Sequence, residues 1–291
     1  MTPVTFHLVS VVDTQAFLGD VRLASTTHQI HYIGHCEHWI HSPKTSLDGL
    51  ASSGERLQRW DYLLIASTLP ENPLALPPDL QGNNKVTNHW SITAPVEDNQ
   101  LANLSAANAT RTSATPPILP PGWNPSDYSS LTASVPPADL EASLALSPTA
   151  LGSPKKDPTT PLKDFISTFG ASNPGPVSMF NLVACLPGQR PRFFGYIAAF
   201  AESVGSRYGG EAQLFGSGVT DWSSRAAEGL EAADPEAGGS GVWEDVALVW
   251  YPSLWHFAKL LDDGDYAVAD RTFKQGVLKD NPILCCTEIT L

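Results

Sequence analysis

A proline-rich segment near the middle of the chain most constrains what this sequence can fold into. Residues 98–161 are dominated by Pro, Ser, Ala and Thr, and eleven prolines fall between positions 116 and 161. Proline removes a backbone hydrogen-bond donor and breaks both helices and sheets, so this segment predicts a linker or a long surface excursion. The chain therefore divides into an N-terminal half, residues 1–97, and a C-terminal half, residues 162–291.

The two halves carry the same order of hydrophobic patterns, as degenerate copies of one unit would. Each half starts with an apolar strand pattern and continues with a helical pattern, two further strand patterns and a closing strand. In the N-terminal half these patterns cover 4–12, 14–25, 30–40, 59–67 and 85–95, and in the C-terminal half they cover 177–186, 190–207, 209–219, 242–253 and 282–291. A second helical pattern, at 254–277, precedes the last strand of the C-terminal half and is eroded or absent in the N-terminal half.

This order predicts an α+β fold in which each half is a ferredoxin-like β-α-β-β-α-β unit. A four-stranded sheet of this kind carries its helices on one face only. Its other face needs a cover, and the matching sheet of the second half is the simplest one.

Several motifs resemble those of the dimeric α/β-barrel superfamily. In the C-terminal half they are PVSMFNLVACLPG, RYGGEAQLFGSG and a Y-P-S turn, Tyr251 to Ser253, that leads into a helix ending near the pair Asp265 and Tyr266. In the N-terminal half they are EHWI, RWDYLLI and HWSITA. The chain is similar to tandem fungal-type proteins related to EthD-like and antibiotic-biosynthesis monooxygenase domains. The resemblance implies an intramolecular dimeric α/β-barrel with a ligand pocket between sheet and helices or inside the barrel, but it does not choose a function.

Charge and composition exclude several classes of partner. With a formal charge of −13, the chain is not expected to bind nucleic acid or anionic membranes, because such binding needs clustered Lys and Arg. No run approaches the roughly 18 apolar residues that span a bilayer, and no basic region precedes an apolar one at the N-terminus. The four cysteines form no C-x-x-C pair, which is typical of reduced, buried thiols. We expect a soluble cytoplasmic protein that could form a homodimer.

Five of the eight histidines lie between His28 and His41. If residues 30–41 form one regular strand, side-chain alternation gives two faces. One face carries His31, Ile33, His35, Glu37, Trp39 and His41, and the other carries Ile30, Tyr32, Gly34, Cys36, His38 and Ile40. The neighbouring strands repeat this division: one set is apolar, and the opposite set contains His7, Asp61, His89 and Ser91.

Three interpretations of this histidine-rich face stay open: it meets water, it lines an acid–base or ligand-binding pocket in the barrel, or it binds a metal. A metal is disfavoured because His31 and His35 are four residues apart, roughly 13 Å along a strand. His35 with Glu37 has a workable spacing, given a third ligand from a neighbouring strand. A bulge at Gly34 would change these assignments.

Other candidate residues lie elsewhere in the chain. His256 lies early in the 254–277 helix, where a solvated or capping histidine is the alternative to a pocket acid or base. Arg271 could bind a substrate carboxylate or phenolate, and Tyr251 could form an aromatic wall. The candidate catalytic residues are therefore His35, Glu37, His89, His7, Asp61 and His256, and the candidate substrate-binding residues are Trp39, Trp90, Tyr251 and Arg271.

The favoured function is that of a small-molecule enzyme that uses acid–base chemistry without an organic cofactor. A cyclase, isomerase, decarboxylase or oxygenase acting on a small hydrophobic, aromatic or polyketide-like compound would fit. The alternative is a non-catalytic tandem barrel that binds a ligand or serves a stress-related role. Glycine-rich phosphate loops, a G-x-S-x-G elbow and an H-E-x-x-H helix do not occur in the sequence, so nucleotide folds, typical serine hydrolases and zinc proteases are not expected.

Overall fold

The described part of the chain contains nine strands and several helices. The computed structural model describes residues 1–43, 50, 59–81, 85–104, 162–201, 205–219, 243–261, 263–274 and 276–290. In chain order the elements are β1 (Thr2–Val11), α1 (Thr14–Ala24), β2 (Ile30–His41), β3 (Tyr62–Ser67), α2 (Pro78–Gln81), β4 (Val86–Val96), α3 (Leu162–Ser172), β5 (Val177–Cys185), α4 (Arg190–Phe200), β6 (Glu211–Ser217), β7 (Asp245–Tyr251), α5 (Leu254–Leu261), α6 (Gly264–Phe273), β8 (Leu278–Asp280) and β9 (Ile283–Glu288).

The strands form a closed antiparallel barrel, and the predicted α+β class is confirmed. The order around the barrel is β7-β6-β4-β1-β3-β2-β9-β5, and β5 pairs back with β7. The strands of residues 1–97 therefore lie side by side as β4-β1-β3-β2, and those of the second half as β6-β7-β5-β9. The short strand β8 lies beside the end of β5, where Ala184 pairs with Asp280.

Two helical features were not expected from the sequence. Helix α3 precedes β5 at the start of the second half. Residues 98–104, at the beginning of the predicted linker, are helical and bury Leu101 and Leu104 in the barrel cluster. The rest of the predicted linker, 105–161, lies outside the described residues. Residues 223–241, an acidic and glycine-rich stretch whose composition predicts a loop, also lie outside the described residues.

Inward-facing side chains of both halves fill the barrel. Phe6 of β1 stacks on Phe180 of β5, with ring centroids 5.9 Å apart. The other large aromatic side chains of this buried cluster are Tyr32, Trp39, Trp60, Trp90 and Trp243. The described interior is thus an apolar core shared by the two halves.

Two further apolar clusters lie outside the barrel wall, one under each set of helices. On the first half, Phe17 and Val21 of α1 and Leu80 of α2 cover Val9 and Tyr62. On the second half, helices α3 to α6 cover the outer faces of β5, β7 and β9. No helix among the described residues is long and apolar enough to cross a membrane.

A bulge in β2 makes the predicted alternation of residues 30–41 wrong. The register of β2 against β9 shifts between Cys36 and His38. Cys36 and Trp39 belong to the barrel core, whereas His38 stacks on Phe165 of α3 outside the barrel, with ring centroids 4.3 Å apart. Trp39 therefore does not share a face with His35 and Glu37, because one extra residue reverses the alternation.

The two halves meet at two seams of unequal length. Strands β2 and β9 form six residue pairs, from Gly34↔Glu288 to His41↔Ile283. Strands β4 and β6 pair at Val96↔Gly216. A Cβ atom at Gly216 would lie 2.8 Å from the Cβ of Ala94, so the absence of a side chain permits the close approach at this short seam.

The substitution Gly216→Ala is expected to destabilise the protein by about 1–3 kcal/mol, because the added methyl group must push the seam apart. Urea unfolding measures this change. The control is Gly19→Ala in α1, where a Cβ would meet nothing within 4 Å, and which should be neutral or gain up to about 1 kcal/mol from helix propensity. Equal stability of the two variants would contradict the steric role of Gly216.

Candidate functional site

His7 and His89 form a direct pair on the outer face of the sheet of the N-terminal half. The Nδ1 atom of His7 lies 3.0 Å from the Nε2 atom of His89, and the rings stack with centroids 5.2 Å apart. His7 is buried, and burial, with a smaller contribution from His89, holds its pKa well below the ordinary value. Burial of the inner side of His89 lowers its pKa to about 4, although part of that residue is exposed. Both rings are therefore neutral at neutral pH, and one donates a hydrogen bond to the other.

His35 and Glu37 form a second pair on the same outer surface. The Nδ1 atom of His35 lies 3.1 Å from Oε1 of Glu37, which also accepts a hydrogen bond from the Thr287 hydroxyl of β9 at 2.7 Å. The His35 ring meets the edge of Tyr62, with centroids 5.4 Å apart. This pair therefore spans the long seam between the halves.

The barrel keeps these two pairs apart. His89 pairs with Val9, Val9 pairs with Tyr62, and Tyr62 pairs with His35. His89 and His35 thus lie three strand spacings apart, about 14 Å for ideal strands. They also lie on the outer face of the barrel wall, outside the apolar core that fills the barrel. Their catalytic role stays a prediction.

Asp61 and His256 lie in structural settings of their own. Asp61 accepts a hydrogen bond from the backbone N–H of Val11 at 2.9 Å and pairs with Arg59 at 3.1 Å. His256 is 6% exposed, with Nδ1 2.8 Å from the hydroxyl of Ser253 at the start of α5, and burial lowers its pKa. A solvated His256 is therefore excluded, and its contact with Ser253 agrees with the capping alternative.

The four predicted substrate-binding residues are distributed over three places. Trp39 and Trp90 belong to the core inside the barrel. Tyr251 lines a cavity outside it. Arg271 is exposed on α6 and is not among the residues that line this cavity.

The cavity, which we call the tyrosine cavity, lies between the outer face of the second half-sheet and helices α4, α5 and α6. Its volume is about 300 Å³. Strands β5, β6 and β7 contribute Met179, Val183, Phe215, Ala247, Val249 and Tyr251, and the helices contribute Phe193, Tyr196, Ile197, Phe200, Phe257, Leu260 and Tyr266. An apolar lining with a few convergent polar groups is typical of small-molecule sites.

Three buried tyrosines are part of this lining. Burial raises the pKa of Tyr196, Tyr251 and Tyr266 well above the ordinary value. The hydroxyl groups of Tyr196 and Tyr266 are hydrogen-bonded to each other. All three side chains therefore remain protonated at neutral pH. One hydroxyl group of the Tyr196–Tyr266 pair donates to the other, so two of the three hydroxyl groups can donate hydrogen bonds to a ligand oxygen.

Lys274, just after α6, provides a buried ammonium group in the cavity wall. The side chain is 7% exposed, and its Nζ lies 4.5 Å from the centroid of the Tyr196 ring. The carboxylate of Asp270, one helical turn earlier, lies 3.7 Å from Nζ and is 4% exposed. A buried ammonium needs such compensation, because its transfer out of water costs several kcal/mol.

The cation of this helical segment that lines the cavity is Lys274, whereas the one predicted from the sequence is Arg271. Tyr266, Asp270 and Lys274 recur at four-residue spacing and share the buried face, whereas Arg271 falls on the exposed one. The helical period alone could have found Lys274. This four-residue spacing is easily overlooked in the sequence, because a lysine and an aspartate usually lie on the solvent-exposed face of a helix.

The described residues offer no group of three or more His, Cys, Asp or Glu side chains placed to hold a metal ion. His7 with His89 and His35 with Glu37 each supply two groups at most. The cavity lining combines phenols, an ammonium group and apolar walls, a set suited to organic ligands with oxygen atoms.

Stability should fall as the pH drops from about 6.5 toward 4. The unfolded chain protonates its histidines near pH 6.5, whereas folded His7 resists protonation and folded His89 has a pKa of about 4. Urea unfolding at pH 7, 6, 5 and 4 measures the slope. The double variant His7→Gln/His89→Gln should lose part of this dependence, while His28→Gln at the surface should keep it. An unchanged slope in the double variant would refute the assignment.

Comparison with known proteins gives only distant likenesses. No protein-family model matches the chain, and no curated protein matches it. Two solved structures of RPA0582, described as a methylated protein and as a protein of unknown function from Rhodopseudomonas palustris, are 21% identical with a TM-score of 0.30, and the match covers 40% of this chain and 82% and 85% of theirs. A structure described as a "putative monooxygenase from Lactobacillus acidophilus" is 8% identical with a TM-score of 0.45, over 100% of this chain and 95% of its own. Likenesses of this degree assign neither a family nor a function.

Proposed function

We propose that the protein is a small-molecule enzyme that binds a hydrophobic, aromatic or polyketide-like compound in the tyrosine cavity. The observation that carries the proposal is the cavity itself, about 300 Å³ of apolar space into which three tyrosines and Lys274 bring polar atoms. Ligand sites usually combine these two features, because apolar walls provide binding energy and a few polar groups fix the orientation.

The proposed chemistry is proton transfer without an organic cofactor, of the cyclase, isomerase, decarboxylase or oxygenase type. Tyr251 and Tyr266 would donate hydrogen bonds to a carbonyl oxygen and stabilise the negative charge that develops on it during enolisation. Glu211 lies exposed at the cavity rim and could accept a proton. The histidine pairs of the first half provide a second, separate set of acid–base groups.

We also propose that the halves 1–97 and 162–291 are tandem ferredoxin-like units of the dimeric α/β-barrel type, joined by the 98–161 linker. The strand orders β4-β1-β3-β2 and β9-β5-β7-β6 support this proposal, since each places the first and third strands of its half at the centre. The helices of each half cover one face of its sheet, and the other faces enclose the core. A relationship to EthD-like and antibiotic-biosynthesis monooxygenase domains would follow from this arrangement.

A second candidate is a non-catalytic ligand-binding or stress-related protein. The filled barrel favours it, because Phe6, Phe180 and the buried tryptophans occupy the space where a catalytic lumen would lie. The separation of His35 from His89 also favours it. In this case the tyrosine cavity would hold a ligand without converting it. Either candidate agrees with a cytoplasmic location and with a homodimer. Either also agrees with the avoidance of nucleic acid, which the charge of −13 favours.

Mass spectrometry of small molecules that co-purify with the protein tests ligand binding. Ala247 of β7 lines the cavity, so Ala247→Trp should fill the space and remove the ligand. The control is Leu23→Trp on α1, which adds the same side chain at a position that is 66% exposed and should retain the ligand. The same set of compounds on both variants would reject the cavity as the site.

Turnover of the identified compound then tests the chemistry. Tyr251→Phe removes one hydroxyl group and should lower kcat by about 10²-fold if that hydroxyl stabilises charge in the transition state. Alanine at His35, Glu37 or His89 should leave turnover intact under this assignment. The reverse pattern would move the reaction to the histidine face of the first half. A bound compound that no condition converts would establish the non-catalytic candidate.

A further inference from the structure

The tyrosine cavity contains one cation whose charge is already balanced inside the protein. Lys274 lines the cavity, and Asp270 lies beside its ammonium group at 3.7 Å. Both side chains are at most 7% exposed, so neither charge is compensated by bulk water. The distance exceeds that of a direct hydrogen bond, which leaves the ammonium group able to donate one to a ligand.

The other described residues of the cavity lining add no second positive charge. Among the residues that line it, Glu211 is the other charged side chain, and it carries a negative charge at the rim. Arg271 is exposed on the opposite side of α6, and Arg190 is paired with Asp245 at 2.6 Å. A ligand carboxylate in the cavity would therefore leave an excess negative charge among buried groups, at a cost of several kcal/mol.

A neutral oxygen avoids this cost. A ketone, quinone or phenol can accept hydrogen bonds from Lys274 and from protonated tyrosines while the Lys274–Asp270 pair stays intact. The Tyr196 ring, held 4.5 Å from Nζ, offers a further apolar surface against which an aromatic ligand can stack.

We infer that the tyrosine cavity selects neutral aromatic carbonyl or phenolic compounds and rejects the matching carboxylates, because Asp270 has already neutralised Lys274. This inference rests on the proposed function, since it concerns the same cavity. This inference narrows the substrate class. It also differs from the expectation, drawn from the sequence, that Arg271 could bind a substrate carboxylate or phenolate.

Two probes with the same naphthalene ring system test the inference. Titration calorimetry at pH 7.5 compares 2-acetylnaphthalene, a neutral ketone, with 2-naphthoate, which carries a carboxylate at the same position. The wild-type protein should bind the ketone at least about tenfold more tightly, a difference of about 1.4 kcal/mol. Equal or tighter binding of 2-naphthoate would overturn the inference, and this comparison needs no variant.

The variant Asp270→Asn should abolish the preference. The substitution leaves the ammonium charge of Lys274 without its carboxylate, so 2-naphthoate should gain about tenfold or more in affinity while the ketone changes little. Asp265→Asn is the matched control, since it makes the same charge change on an exposed position of α6 and should leave both affinities unchanged. A parallel change in the two α6 variants would overturn the role of Asp270.

Failure of this inference differs from failure of the proposed function. If neither probe binds, or if Ala247→Trp binds both as the wild type does, the tyrosine cavity is not the ligand site. If both probes bind and Ala247→Trp abolishes their binding, the site stands, and the relative affinities alone decide the ligand charge.

Discussion

The apolar core shared by the two halves is the interaction on which the rest of the structure depends. Phe6 belongs to the first half and Phe180 to the second, and each finds its stacking partner across the barrel. Burial of one such side chain stabilises a fold by about 1.5–3 kcal/mol relative to exposure. Neither half-sheet can bury its inner face alone, so closure of the barrel and burial of the core are one event.

A filled barrel moves the space for ligands to the outer faces of its wall, where the halves differ. On the first half, α1 lies close to the sheet, and Phe17 stacks on Tyr62 with centroids 5.2 Å apart. On the second half, bulky side chains on α4, α5 and α6 hold these helices away from Ala247, a small residue in the centre of β7. The longer helices of the second half thus leave room that the short α2 of the first half does not.

Much of the fold could be predicted from the sequence, since hydrophobic periodicity is a local property. The eight strands of the barrel and helix α1 lie within a few residues of their predicted positions, and the pattern at 254–277 contains α5 and α6, whereas the short strand β8 was not predicted. The bulge after Cys36 could not be predicted, because it depends on the register with β9, about 250 residues away. This bulge places Trp39 in the barrel core and His38 against α3.

The site was less predictable than the fold for a similar reason. A cluster of histidines attracts attention in a sequence, yet the barrel separates His35 from His89 by placing two strands between them. Lys274 and Asp270 look like ordinary surface residues until helix α6 is placed against the sheet. Burial changes the meaning of a charged residue, and burial is set by packing between distant segments.

The two seams between the halves differ in the number of residue pairs that hold them together. Six residue pairs join the halves along β2–β9, whereas the pair Val96↔Gly216 joins them along β4–β6, so the barrel wall is weaker at β4–β6. Local opening begins where the fewest bonds must break, so fraying of the barrel wall would start along β4–β6 and not along β2–β9. The hydrogen bond from Thr287 to Glu37 crosses β2–β9 and would therefore be among the last contacts between the halves to break.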